Sequence, residues 1–185
     1  MGEGLHLRLA TPADRPALAA LVDRSVRELS RDHYSPAQID GSLAAIFGID
    51  GTLIADGTYF VVETGEGVPA GCGGWSRRRT LCGGDQFSDR SPELVDPAQE
   101  PAKIRAFFVD PAFARRGVGR MLMAASEAAA GAAGFTMLEL MATLPGVPLY
   151  TALGFTATGR VELPLPDGGR IPFVPMRKNL VEGLA

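Results

Sequence analysis

The chain has 185 residues, of which 46% are hydrophobic and 21% charged, and its formal net charge is −3. That length gives a single domain over 1–185 enough material for a core of its own, and the mild acidity excludes a general attraction to nucleic acid. No run is long and apolar enough for a transmembrane helix, and the first residues lack a basic-then-apolar leader pattern, so a cytoplasmic address without membrane attachment is expected.

Two cysteines, Cys72 and Cys82, and two histidines, His6 and His33, offer no metal-ligand spacing, so no metal is expected. Leu5, Leu7 and Leu9 alternate with His6 and Arg8, the period of a half-buried strand with His6 facing outward. Thr11-Pro12-Ala13-Asp14 is a helix start, and Leu18, Leu21, Val22, Val26 and Leu29 then mark one face. Ser35-Pro36 opens a second helix with Ile39, Leu43, Ile46 and Phe47 on its stripe. Residues 58–63 read as a strand, 65–67 as a turn, and 69–79 as the antiparallel return strand carrying Trp75 in core or cleft wall. Arg77, Arg78 and Arg79 read as a strand end reaching solvent. Residues 80–100 are irregular and acidic, with Asp85, Asp89, Glu93, Asp96 and Glu100 against Arg90. They form either a lid that attracts a cationic amine or a plain solvated loop.

Residues 104–109 are a short apolar run, broken only by Arg105 and stopped by Asp110-Pro111, which predicts a buried strand. From Gly117 the spacing of Val118, Leu122, Ala125, Ala129 and Ala132 is helical. The unit is therefore strand, glycine-bearing loop, helix. The first turn of a helix leaves backbone N–H groups unpaired, and the helix dipole adds positive charge there. Glycine lets an anion approach closely, and Arg115, Arg116 and Arg120 add full charges, so a pyrophosphate suits the spot. Neither GxxxxGK[ST] nor GxGxxG is present, which disfavours a nucleoside triphosphate or a dinucleotide. On these residues alone, a basic solvated loop before a glycine-started helix is the simpler account. Residues 135–142 predict a further strand, and Asp167-Gly168-Gly169 a hairpin between strand-like runs over 155–163 and 170–177.

Ala114-Arg115-Arg116-Gly117-Val118-Gly119 followed by Tyr150-Thr151-Ala152-Leu153-Gly154-Phe155 resembles the GCN5-related N-acetyltransferase (GNAT) superfamily. The resemblance is strong over 103–155 and rests on pattern elsewhere. It implies an α/β (α+β) fold ordered β-α-α-β-β-β-α-β-α-β-β, with about seven strands in a mixed, mostly antiparallel sheet and about four helices. It implies acetyl-CoA as co-substrate, held by Phe108, Val109, Ala114, Arg115, Arg116, Gly117, Val118, Gly119, Arg120 and Thr143. Ala114 departs from the family's Gln or Arg, and Thr143 stands where relatives often carry Asn.

By the same resemblance, Tyr150 protonates the departing sulfur; the alternative is simple packing at a helix end. The loop Arg31, Asp32, His33 and Tyr34 is either a substrate contact or a polar connection. Relatives often carry a glutamate base on the strand before the loop, where this chain has Lys103, Arg105 and Phe107. Glu63, Asp85, Glu139 and a water relay stay open as the base. Glu139 shares a strand face with Met137 and Met141. The expected activity is direct acetyl transfer to an amine, with a small molecule as acceptor and neither nucleic acid nor membrane as partner. A silent acyl-CoA sensor of the same fold is the alternative. Strand edges near the C-terminal hairpin suggest a homodimer.

Overall fold

In the computed structural model, which describes residues 4–180, strand β1 (His6–Leu9) passes through a 3-10 turn (Pro12–Asp14) into helix α1 (Arg15–Leu29). The first three and last five positions of the unit expected over 1–185 lie outside the described residues. Asp14 accepts the Thr11 N–H at 2.7 Å, which fixes the chain's entry into this helical stretch. Helix α1 buries Leu18, Leu21, Val22 and Val26, while Leu29, at its last residue, is 38% exposed. Helix α2 (Pro36–Ala45) starts with a reciprocal box, in which Ser35 Oγ accepts from Gln38 N and Gln38 Oε1 accepts from Ser35 N.

A third helix, α3 (Gly51–Ala55), is capped by the buried Asp50 carboxylate, which accepts from Thr52 N and Leu53 N. Its five residues are too few to show a period, and the sequence did not announce it. Then come β2 (Tyr59–Glu63), β3 (Pro69–Ser76), β4 (Ala102–Val109), α4 (Val118–Ala132), β5 (Met137–Thr143) and α5 (Val147–Ala152). The chain closes with β6 (Thr156–Ala157), β7 (Val161–Pro164) and β8 (Arg170–Asn179).

These make one eight-stranded sheet in the order β1-β2-β3-β4-β5-β8-β6, with β7 also on β8. Only β4 and β5 run parallel; every other pair is antiparallel. The expected mixed, mostly antiparallel fold is present, with one strand and one helix more than expected. The extra strand arises because the run over 155–163 breaks where Thr158 N turns to Pro175 O. The return strand stops at Ser76 rather than Arg79, because Arg78 and Arg79 leave the ladder to pair with Asp56 and with Glu93 and Glu100.

Apolar residues of α1, α2 and α3 pack one face of the sheet with Tyr59, Val61, Cys72 and Phe173. Met123 and Ala130 of α4 pack the other with Ile104, Leu138 and Trp75, and Trp75 meets the Phe135 ring edge-on at 5.9 Å. Trp75 is thus core, and His6 is exposed on its strand as its alternation implies. No described helix is long and apolar enough to cross a membrane.

Candidate functional site

The site begins where two parallel strands part. β4 and β5 pair only at Ala102↔Leu138 and Lys103↔Glu139. Beyond that point β4 is bent by a bulge, in which Ala106 and Phe107 together oppose Gly73. Ala106 takes φ 54°, and its carbonyl accepts the Tyr59 hydroxyl at 3.0 Å, which fixes the kink. A Cβ on Gly73 would lie 2.4 Å from the Phe107 ring, so a glycine is needed for the rings beyond the bulge to sit close. The opened strand ends leave a cleft walled by Phe107, Phe108 and Val109.

At the mouth of one half of this cleft lies the 114–120 loop. Asp110 accepts from Ala112 N and from Arg24 of α1 at 2.6 Å, tying the helix to the loop's origin. Arg115 (φ 60°) and Gly117 (φ 86°) are both left-handed, and Gly117 is the N-terminal residue before α4. Among the described residues, no acceptor meets the N–H groups of Arg115, Gly117, Val118, Gly119 or Arg120. This is a concave set of free donors at a helix N-terminus, a geometry suited to a pyrophosphate. Arg115, Arg116 and Arg120 are exposed beside it, Arg116 lying over the Phe113 ring at 5.1 Å. Val118 and Gly119 are buried, and Gly119 lies against Leu149 of α5. Ala114 supplies backbone here, so its small side chain does not interrupt the loop.

Thr143 and Tyr150 stand deeper, where the two halves of the cleft meet. The first half, about 170 Å³, is bounded by α1 residues Ser25, Val26 and Leu29 and the C-cap Ser30, by Phe108 and Val109, and by Gly119 and Leu149. The second, about 70 Å³, is bounded by Phe47, Leu81, Cys82, Gly83, Arg105 and Met141. Phe47, Phe107, Phe108, Thr143 and Tyr150 face both. The Tyr150 ring is held edge-on between Phe107 at 6.5 Å and Phe155 at 6.0 Å. Burial pushes its phenol well above the ordinary value, so the group is a protonated donor at neutral pH. Gly146 lets Tyr150 close over Thr143, since a Cβ there would meet both side chains at 3.0–3.1 Å.

The sequence brought forward three carboxylates as bases, and none reaches this cleft. Glu63 is bound by Arg8 at 2.8 Å at the far end of β2. Asp85 accepts from Arg15 and from Gly51 N on the outer side of its loop. Glu139 shares the face of Met141 as expected, but Lys103 and Arg177 clamp it. No aspartate or glutamate borders either half of the cleft among the described residues. Of the other acids of 80–100, Glu93 and Glu100 are engaged by Arg79 and Asp96 by the Ala98 N–H, while Asp89 is exposed. That segment does wall the cleft, but with Leu81, Cys82 and Gly83 rather than with an acidic face. In the interhelical loop, Arg31, Asp32 and His33 are exposed outside the cleft. Tyr34 is structural, its hydroxyl donating to Pro172 O at 2.8 Å and accepting from Leu144 N; burial pushes it up to about 12.

Sequence reasoning did not find Ser25 on α1 or Ser30 at its C-cap as site residues, and it read Phe47 only as part of the second helix's stripe, whereas that helix ends at Ala45 and Phe47 walls the cleft. It also passed over Arg105, although a lone arginine in an apolar strand run was a visible signal. Arg105 forms a buried ion pair with Asp50 at 2.6 Å.

Residues 23–155 match the model of the Acetyltransferase (GNAT) family. No curated protein is matched by the sequence. Among solved structures, the chain is similar to a GCN5-related N-acetyltransferase from Rhodopseudomonas palustris, with 24% identity, a TM-score of 0.71, and 97% of this chain and 99% of that chain covered. PaiA N-acetyltransferase from Thermoplasma acidophilum, solved in complex with coenzyme A, is 11% identical with a TM-score of 0.64, over 95% of this chain and 99% of that one. YncA from Salmonella typhimurium, solved with its cofactor acetyl-CoA, is 20% identical with a TM-score of 0.63, over 98% and 97%.

Proposed function

The chain belongs to the acetyltransferase (GNAT) family, and from that premise we propose that it moves an acetyl group from acetyl-CoA directly to a primary amine of a small molecule in a ternary complex. The observation that carries this reading is the two-sided cleft with Tyr150 at its junction. One side has free backbone donors at its mouth; the other is a narrow apolar compartment with a polar floor. Solved relatives named with coenzyme A or acetyl-CoA support the cofactor assignment.

Acetyl-CoA supplies the acetyl group as an activated thioester. The N–H groups of 115 and 117–120 bind its pyrophosphate, with Arg115, Arg116 and Arg120 adding charge. Thr143 offers a hydroxyl to the arm that runs inward, and a backbone N–H of the strand Phe107 to Val109 polarises the thioester oxygen. A C–N bond forms at the acceptor nitrogen as the C–S bond breaks. Tyr150 Oη gives its proton to the departing sulfur, and the proton shed by the amine leaves through water. That last assignment follows from a cleft without a carboxylate, which leaves the water relay as the base.

The same absence favours a second reading, an acyl-CoA sensor that binds without turnover. Free-thiol release from acetyl-CoA, measured with a panel of amines, separates the two. Amine-dependent release is expected. Tight acetyl-CoA binding with no release for any amine would favour the sensor, and no binding would overturn the site. The outer edges of β6 and β7, unpaired among the described residues, support a homodimer, which sedimentation velocity tests.

A further inference from the structure

Resting on the acetyltransferase reading, we propose that the acceptor amine also carries a carboxylate, and that Arg105 in the floor of the acceptor compartment receives it. Arg105 sits on β4 just past the last parallel pair, on the α1–α3 face of the sheet. Its side chain is 1% exposed. A guanidinium removed from water is stable only if its charge and its five N–H groups find partners. Here Nη2 donates to Gly83 O at 2.6 Å and lies 2.6 Å from Asp50 Oδ2. Nε and Nη1 have no partner. Three N–H bonds are left over, that of Nε on one side of the guanidinium and the two of Nη1 on the other.

Charge leads to the same conclusion. Asp50 is the only fully buried carboxylate beside Arg105 among the described residues, and it serves Arg90 at 3.0 Å and the N-terminus of α3 as well. Two guanidiniums and a helix N-terminus thus share one carboxylate. The nearby acids are exposed: Asp85 is engaged by Arg15, and Asp89 faces solvent. Burial pulls the Arg105 pKa below its ordinary value and Asp50 only partly restores it, as expected of a cation short of a counter-charge. One missing negative charge fits a monoanion, and a carboxylate oxygen is an acceptor for the unpartnered Nη1 N–H groups.

The position makes the anion useful. Arg105, Cys82, Gly83, Thr143 and Tyr150 border one compartment, so an anchored carboxylate and a reacting amine occupy the same small space. The carbonyl of Gly83, a residue at φ 91°, sits on the guanidinium, and a carboxylate reaches the free donors by displacing it.

The test uses the wild-type protein and matched acceptors: a series of amino acids, their carboxamides, the decarboxylated amines and an aminoalkyl phosphate. kcat/KM is read as thiol release from acetyl-CoA. The free acids should exceed carboxamides and decarboxylated amines by about 10–100-fold, with the phosphate no better than the latter. In Arg105→Lys, which keeps a cation for Asp50 and loses the fork, the preference should fall to within about threefold. Equal kcat/KM for acid and carboxamide in the wild type, or a preference for the phosphate, overturns the proposal and leaves the acetyltransferase standing. A folded Arg105→Lys protein that retains the preference overturns the role of Arg105. If Arg105→Lys does not fold, the wild-type comparison decides alone. No release with any acceptor overturns both readings.

Discussion

Glycines at this site act by what they leave out. At Gly74 a Cβ would lie 2.1 Å from the Thr58 carbonyl oxygen, a backbone atom that cannot step aside. Gly74→Ala should therefore cost about 1–3 kcal/mol or more in urea unfolding, since overpacking against backbone has no cheap relaxation. Gly117 has open space around it and φ 86°, so its requirement is conformational. Gly117→Ala should cost only about 1–2 kcal/mol in the same experiment and should weaken acetyl-CoA binding by disturbing the free donors. Thr143 borders both halves of the cleft, and its hydroxyl has no protein partner among the described residues. Thr143→Val should raise the acetyl-CoA dissociation constant by about 2–10-fold, the worth of one hydrogen bond, with stability unchanged.

At the scale of elements, local chemistry was legible and distant pairing was not. The helix starts at Thr11 and Ser35 are each written in four consecutive residues: the reciprocal box forms at Ser35, and at Thr11 the Asp14 carboxylate accepts from both the N–H and the hydroxyl. Ser35→Ala should lower unfolding stability by about 1 kcal/mol, read from the urea midpoint. The 114–120 loop and the Tyr150–Phe155 turn were equally readable, because each is a contiguous signature. The base candidates failed for the opposite reason. Glu63 meets Arg8 from another strand, and Glu139 meets Lys103 and Arg177 from two others, so no window of sequence showed these carboxylates already engaged. Helix α3 was missed because Asp50-Gly51 reads as a turn until the Asp50 carboxylate is seen capping five residues. The bulge at Ala106 is likewise invisible in a run that alternates imperfectly, yet it opens the cleft.

Across the whole molecule, titration should bound the stable range on both sides. Asp14 and Asp56 are held below the usual carboxylate range by hydrogen bonds from Arg8 and Arg78. Their contribution is complete above the unfolded carboxylate value near ~3.9 and is lost as pH falls through the lower folded values. Burial moves the other limb. Cys72 and Tyr34 are each pushed up to about 12, and Tyr59 and Tyr150 also rise. Stability from these groups is complete below the unfolded thiol value near ~8.5 and phenol value near ~10, and is lost as pH rises through the folded ones. Thermal melting should therefore show a plateau between about pH 5 and 8, with a decline on each side. The acid limb should shrink in Arg78→Met, which removes the partner of Asp56.

The same molecule-wide geometry places one phenol at the junction of the two halves of a single cleft, with no protein partner for its oxygen among the described residues. Tyr150→Phe removes that oxygen and leaves the ring packing between Phe107 and Phe155 intact. The decisive measurement is kcat for amine-dependent thiol release in this variant, beside its acetyl-CoA dissociation constant. If Tyr150 is the acid, kcat falls by about 10²–10⁴-fold while the dissociation constant stays within about threefold. An unchanged kcat would contradict that role and leave Tyr150 as packing at the end of α5.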